Sequence, residues 1–328
     1  MRQRAAAMAY PEGVQDRTRI QRTLESPDGT AARVQEVWGE QAGAWSGQGR
    51  HWLEHPAVQA RIRAMAGGAG GRDRFQDFLQ RYFPEGASVE RVLTLGCGAG
   101  EFERGLAQYR FARDHDAFDI AEGAIRQAVE AAREAGFHHI HYQVVDLNHI
   151  TLDRDHYDVV FGLSAVHHIA ELEHLLTQVR DSLKPGGYFF LDEFIGPSQF
   201  QWPDAQLEVV NRALAELPPG LRRSLSRPGQ LKTTVLRPSV EQMNAGDPSE
   251  AIRSAEIVPL LQHDFDIIEL KGYGGSVLHL LMEDIAGNFT PDDALAAEWL
   301  ERLFRLEDQL ILDGTLDHDF AVIVARGR

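Results

Sequence analysis

The sequence has one cysteine, Cys97, so no intrachain disulfide can form and the disulfide-framed secreted scaffolds are excluded. It has no apolar run near the roughly 20 residues that span a bilayer, and its first residues lack the hydrophobic stretch of a signal peptide. Basic residues are outnumbered, 33 against 49 acidic, for a formal charge of −16, and no Lys/Arg-rich block interrupts that balance. Such a surface repels phosphate backbones, which argues against a nucleic-acid partner. These absences together predict a cytoplasmic protein without a membrane span. The segment 1–30 mixes five arginines with Glu12, Asp16 and Glu25, which is unlike a transit peptide, and reads as a flexible tail.

What is present is a chain of 328 residues with 43% apolar and 25% charged residues, enough to bury a large core. Helical spacing through Val34, Trp38, Ala42 and Trp45, then from Pro56 to Met65, and then over 72–83 predicts an N-terminal helical cap over 31–85. From Arg91 the pattern turns to short β-rich runs alternating with amphipathic stretches. Strands are expected at 91–95, 115–119, 140–146, 157–163 and 187–193, with helices at 100–109, 122–135 and 170–182. Proline-broken helical pieces after Gly196 read as an insertion over about 196–260. Phe265–Leu270 and Phe320–Val324 complete the strands, flanking helices at 276–287 and 291–312. Thr290-Pro-Asp-Asp293 is the expected capping box of the second, with Pro at the first helical position, and Gly314 its stop. The fold class is therefore α/β: a doubly wound, Rossmann-like, mostly parallel seven-stranded sheet over 86–328, with the cap before it and the helical insertion after strand five.

The segment from Arg91 to Phe102 is a buried strand running into Gly96-Cys97-Gly98-Ala99-Gly100 and then a helix. Glycines there let the backbone turn sharply and a ligand approach without Cβ atoms in the way. Asp119 ends the second strand, where a carboxylate can accept both hydroxyls of a ribose. Asp146 ends the third, placed for the exocyclic amine of an adenine. A nicotinamide fingerprint would need a small residue where Glu101 stands, and a carboxylate beside a pyrophosphate is electrostatically wrong.

On the glycine-rich turn, Asp119, Asp146, the strand Tyr157–Phe161 and Leu183-Lys-Pro-Gly-Gly-Tyr188, the chain resembles the class I S-adenosylmethionine-dependent methyltransferases over about 91–196. The stretch Asp192–Trp202 resembles a bacterial subgroup associated with polysaccharide or natural-product gene neighbourhoods. The resemblance implies S-adenosyl-L-methionine as cofactor, held by Gly96, Cys97, Gly98, Gly100, Asp119, Ile120, Asp146, Leu147 and Ser164. The sequence departs from the family at Thr94, where an acid usually supports the aminoacyl end of the cofactor; Glu101 and Glu103 are the candidates to compensate.

Ligands of open α/β sheets sit beyond the carboxyl ends of the strands, so the acceptor should meet residues after strands four and five. His167 and His168 follow strand four and Glu193 ends strand five, which makes them the candidate proton-removing groups for a hydroxyl acceptor. One of two adjacent residues is expected to turn away. The runs Asp114-His-Asp116 and Asp317-His-Asp319 begin strands and should splay to opposite faces, so no metal is expected there or elsewhere. Trp202 and the segment Tyr273–His279 are placed to close over the acceptor. The expected reaction is O-methylation of a small molecule or glycan. N- or C-methylation, a cofactor-retaining cyclase or isomerase, and a cofactor-sensing binding module stay open, as does the oligomeric state.

Overall fold

The computed structural model describes residues 22–23, 34, 38, 48–69, 71–83 and 87–328. The tail expected over 1–30 lies outside these residues, apart from the pair Arg22–Thr23, which runs parallel to Val144–Val145 at a sheet edge. Of the first expected helix, Val34 and Trp38 are described and helical; Ala42 and Trp45 lie outside.

Besides that pair the sheet has seven strands: β1 (Val89–Leu95), β2 (Ala112–Asp119), β3 (Ile140–Val145), β4 (Tyr157–Leu163), β5 (Leu183–Phe194), β6 (Phe265–Gly272) and β7 (Phe320–Gly327). Their order is β3-β2-β1-β4-β5-β7-β6. The first five are parallel, and β7 pairs antiparallel with both β5 and β6. Parallel strands covered on both faces read as nearly continuous apolar runs. Val159-Val160-Phe161 and Phe189-Phe190-Leu191 are such runs, and alternation divides them between two cores. Val159, Phe161 and Phe190 face α1 (Pro56–Ala66), α2 (Arg74–Tyr82) and α6 (Asp204–Glu216). Val160, Phe189 and Leu191 face α5 (Leu172–Ser182) and α8 (Ile257–Asp264). A smaller cluster lies between Ala117, Tyr142 and Val144 and the alanine-rich face of α4 (Glu122–Glu134).

The cap helices are fastened to the sheet by polar links. Arg74 at the start of α2 pairs with Asp192 of β5, which also accepts the Tyr273 hydroxyl at 2.7 Å. His55 caps α1 through Ala57 and bonds the Phe289 carbonyl through Nε2 at 2.6 Å.

Two expected helices differ. The one expected over 276–287 is α-helical only at α9 (Leu278–Met282), with a separate 3-10 turn at Ala286–Asn288, because the Lys232 ammonium takes the Leu280 and Glu283 carbonyls at 2.7 Å each and Asp284 turns left-handed. The other, α10, begins at Ala294, with Pro291 outside it. Asp293 is the cap, its carboxylate accepting the amides of Leu295 and Ala296, two of the donors a helix start leaves unpaired. Gly314, at φ +75°, ends the helix as expected.

Candidate active site

Strand β1 ends in the glycine turn, and α3 (Glu101–Gln108) starts from it. Gly96, Gly98 and Gly100 all have positive φ. A Cβ on Gly96 would run into the Ala165 methyl beyond β4, and one on Gly100 into Tyr142 and Ala128, whereas one on Gly98 would meet nothing within 4 Å. Two glycines are thus required by packing and the third leaves an open approach, which fits a cofactor laid along the turn. Asp119 holds that turn: its carboxylate accepts the Gly98 and Ala121 amides at 2.8 Å each. Burial pushes its pKa up, against those bonds. Ile120 follows it, half-buried. Asp146 is buried and uses one oxygen, Oδ1, for the amide and side chain of Asn148, which in turn accepts the amides of Ala170 and Glu171. Leu147 is packed in the core beside it, Cys97 is buried under the turn with its thiol pushed up by burial, and Ser164 is exposed at the tip of β4.

Thr94, where an acid is usual, bonds His115 Nε2 at 2.8 Å. Both acids named to compensate lie on α3. Glu103 is fully buried, with neither carboxylate oxygen in hydrogen-bond contact among the described residues, and burial raises its pKa to about 7. Glu101, by contrast, is exposed.

His167 and His168 lie on a 3-10 turn, Val166–His168, rather than on an extended segment, so both imidazoles stay on one side, with ring centroids 4.2 Å apart. Glu193 is wholly buried: Oε1 accepts the amides of Ala165 and Val166 at 2.6 Å each, and Oε2 takes His167 Nδ1 at 2.6 Å. The strand-end carboxylate is therefore saturated by the histidine turn. Burial alone would lower the His167 pKa, but Glu193 and then Glu250 outweigh it and the pKa is raised; His168, buried beside it, is held well below the usual range.

Sequence reasoning missed the other half of this cluster, Asp247, Ser249 and Glu250 in the insertion. Glu250 comes within 3.6 Å of His167 Nε2 and 4.0 Å of His168 Nε2. Ser249 meets His168 Nδ1 at 3.0 Å and donates to Asp247 at 2.6 Å, while Asp247 also accepts the Trp38 indole at 2.8 Å. The insertion is tied to the turn by the Ile252 amide on the His167 carbonyl. Only a turn-like Asp-Pro-Ser sequence marked this segment, some eighty positions from the histidines. Of seven described non-glycine residues with positive φ, Ser164, Gln199, Phe200 and Ala251 all border this cluster, and such strain persists where the surroundings over-determine the backbone.

Residues 69–222 match a family described as a methyltransferase domain. Over these residues the chain carries a methyltransferase domain, and it is similar to the class I S-adenosylmethionine-dependent methyltransferases. It is 27% identical over 158 residues to a ubiquinone biosynthesis O-methyltransferase of Methylobacterium sp. (strain 4-46), covering 48% of this chain and 58% of that protein. It is 28% identical over 127 residues to the 27-O-demethylrifamycin SV methyltransferase of Amycolatopsis mediterranei (strain S699), covering 37% of this chain and 44% of that one. The chain thus spans about half the length of these curated relatives. In fold it is similar to the geranyl diphosphate C-methyltransferase of Streptomyces coelicolor A3(2), solved with Mg2+, geranyl diphosphate and S-adenosyl-L-homocysteine. The TM-score is 0.53 at 12% identity, over 92% of this chain and 100% of that one.

Next to the histidine pair the chain has an aromatic cluster centred on His279. Trp52, Phe194, Phe200, Trp202 and Phe320 lie with ring centroids 5.3 to 6.2 Å from the His279 ring. Phe194 joins it to His167 at 6.2 Å. Within this apolar wall four buried polar atoms have no hydrogen-bond partner among the described residues: Trp52 Nε1, Trp202 Nε1, Ser276 Oγ and His279 Nδ1. Buried polar groups are normally paired, which makes these atoms candidates for contact with a polar group of a ligand. Burial lowers the His279 pKa to about 3, which keeps the imidazole neutral. Glu307 of α10 fixes this segment: its Oε1 accepts the amides of Gly275, Val277 and Leu278, and its Oε2 meets Arg61 at 3.1 Å. Trp202 and Tyr273–His279 were placed over the acceptor from sequence; the structure brings Trp202 and His279 together. Asp114 and Asp116 serve as partners of Arg91, and Asp319 accepts Gln206 at 3.0 Å, so neither acid-histidine run gathers into a cluster. No described helix is long and apolar enough to cross a membrane.

Replacing Asp119 by alanine removes the anchor of the Gly98 amide. We expect a roughly tenfold to hundredfold loss of S-adenosylhomocysteine affinity, about 1.5 to 3 kcal/mol. Unchanged affinity in titration calorimetry would remove Asp119 from the cofactor site.

Proposed function

We propose that this protein methylates a hydroxyl oxygen of a small molecule whose body is apolar and ring-containing. The observation that carries the proposal is the set His167, His168 and Glu250: the two histidines stand two and three residues beyond the Ala165 that packs on Gly96, Glu250 reaches them from the insertion, and His167 adjoins the aromatic cluster around His279 through Phe194. When bound, S-adenosylmethionine supplies an electrophilic methyl carbon on a positively charged sulfur. The acceptor O–H must lose its proton as the O–C bond forms, and this set is the group on the chain positioned to bring that about. Glu193 acts through His167: with its oxygens occupied by two amides and Nδ1, it positions the ring rather than meeting the acceptor. On the cofactor side we assign the backbone of Gly96, Cys97, Gly98 and Gly100, the ribose to Asp119 and Ile120, the base to Asp146 and Leu147, and an edge contact to Ser164. The unpaired indoles, Ser276 and His279 offer polar fixing points within these apolar surroundings. Both curated relatives are named as O-methyltransferases or for an O-demethyl substrate, which favours oxygen as the methylated atom. A glycan acceptor suits these apolar surroundings less well.

The test is turnover with S-adenosylmethionine on a panel of phenols, hydroxylated polyketides and sugars, followed by S-adenosylhomocysteine release. Accumulation with a ring-containing alcohol or phenol is expected; product only from sugars would overturn the acceptor class. Ligand selectivity gives an independent check. Glu101 occupies the place of the third fingerprint glycine, so S-adenosylhomocysteine should raise the melting temperature and NAD or NADP at equal concentration should not. A larger shift with NAD would overturn the cofactor assignment.

A further inference from the structure

We propose that His167, His168 and Glu250 form a binding site for one divalent first-row transition cation, with Glu193 and the Ser249–Asp247 pair as its outer shell. Three ligand atoms, one from each residue, lie within 4.8 Å of one another. The hydrogen-bond pattern decides which atoms these are. Glu193 occupies His167 Nδ1. Ser249 gives its own proton to Asp247 Oδ1, so toward His168 Nδ1 its oxygen accepts. Both rings therefore keep a proton on Nδ1, which leaves Nε2 as the atom that faces Glu250 and can ligate.

The Nε2-to-carboxylate separations, 3.6 and 4.0 Å, are too long for hydrogen bonds. They are close to the spacing of about 3.4 Å expected between two ligands bonded tetrahedrally to one Zn2+. Imidazoles whose far nitrogen is held by a carboxylate or by a carboxylate-backed hydroxyl are the usual surroundings of metal-binding histidines. Trp38 extends the shell by donating to Asp247 and setting its ring against His168, with centroids 5.2 Å apart. Two imidazoles and one carboxylate suit Zn2+, Co2+, Mn2+ or Fe2+, and are a poor match for Mg2+, which prefers oxygen ligands.

Three protein ligands leave a further position, and the aromatic cluster around His279 adjoins through Phe194. On the reading of the site as a hydroxyl methyltransferase, the cation would lower the acceptor hydroxyl's pKa. The O–H proton then leaves to solvent water, the oxygen lone pair forms the O–CH3 bond, and the C–S electron pair remains on sulfur. Binding of the cation itself does not depend on that reading.

The test uses the full chain, treated with chelator and then titrated with Co2+. One Co2+ per chain with visible d–d absorption is expected, displaced by Zn2+ and not by Mg2+. His168→Gln and Glu250→Gln should abolish measurable uptake while leaving S-adenosylhomocysteine affinity unchanged, which shows that the variants are folded. Ser249→Ala should weaken uptake roughly tenfold. A readout without variants is the melting temperature of the wild type, which Zn2+ should raise and Mg2+ should not. Absence of Co2+ uptake, uptake unaltered in both ligand variants, or equal shifts with Zn2+ and Mg2+ would overturn the site. If Co2+ binds as expected and no hydroxyl acceptor is methylated, the metal site stands and the proposed reaction falls.

Discussion

His167→Gln is expected to lower turnover by roughly a hundredfold to ten-thousandfold while changing cofactor affinity little. The imidazole is fixed on both sides: Nδ1 by Glu193 at 2.6 Å and Nε2 facing Glu250 at 3.6 Å. Glutamine keeps size and polarity, but its amide cannot reproduce a lone pair at the Nε2 position together with a donor to Glu193. The glycine turn and Asp119 touch neither atom, so S-adenosylhomocysteine binding reports independently that the cofactor side is intact. Glu193→Gln provides the contrast for a positioning role. It should cost turnover through a misaligned His167, and it should also destabilise the fold, because the Ala165 and Val166 amides lose a charged acceptor. Initial-rate kinetics with a confirmed acceptor, alongside denaturant melts, separate the two. If His167→Gln retains near-normal kcat, the imidazole serves structure alone.

How far this site was legible in the sequence depended on how local its parts are. The glycine turn, Asp119 and Asp146 sit at successive strand ends, and the apolar runs that mark those strands fix the positions of the acids. His167, His168 and Glu193 were found by the same rule, but their relation was not. A 3-10 turn at 166–168 keeps both rings together, whereas an extended segment would have split them. The burial of Glu193 depends on amides offered by that turn, a tertiary fact that no periodicity carries. Glu250 was invisible because its place is set by the Ile252 amide on the His167 carbonyl and by the left-handed Ala251, both properties of the folded insertion. The helix misjudged at 276–287 stops early for a similar reason: a lysine 48 residues away takes its carbonyls. Thr94 was the one departure visible at once; of the two acids that could compensate, the structure buries Glu103 and leaves Glu101 exposed.

A compensating role for Glu103 gives the second large prediction. Glu103 is fully buried with no hydrogen-bond partner for either oxygen among the described residues, and its pKa is raised from 4.5 to about 7. An acid with a raised folded-state pKa binds its proton more tightly in the native chain than in the unfolded one. Below pH 4.5 both states are protonated and the group contributes no difference. Between 4.5 and 7 the unfolded chain ionises first, so native stability falls as pH rises, and above 7 the penalty is complete. A rise of this size corresponds to about 3 kcal/mol. Glu103→Gln keeps the shape without a charge to desolvate, so it should stabilise the ligand-free protein by about that amount at pH 8 and by little at pH 4.5, as read from urea melts at the two pH values. The same carboxylate should matter in the opposite sense for the cofactor. An ammonium brought near the turn favours the ionised form, so S-adenosylhomocysteine binding near pH 7 should release a proton in the wild type. Calorimetry in buffers of different ionisation enthalpy detects that release, and Glu103→Gln should abolish it and weaken binding. A variant whose stability difference is the same at both pH values would show that Glu103 is not the ionising group, and proton release surviving in Glu103→Gln would place the compensating acid elsewhere.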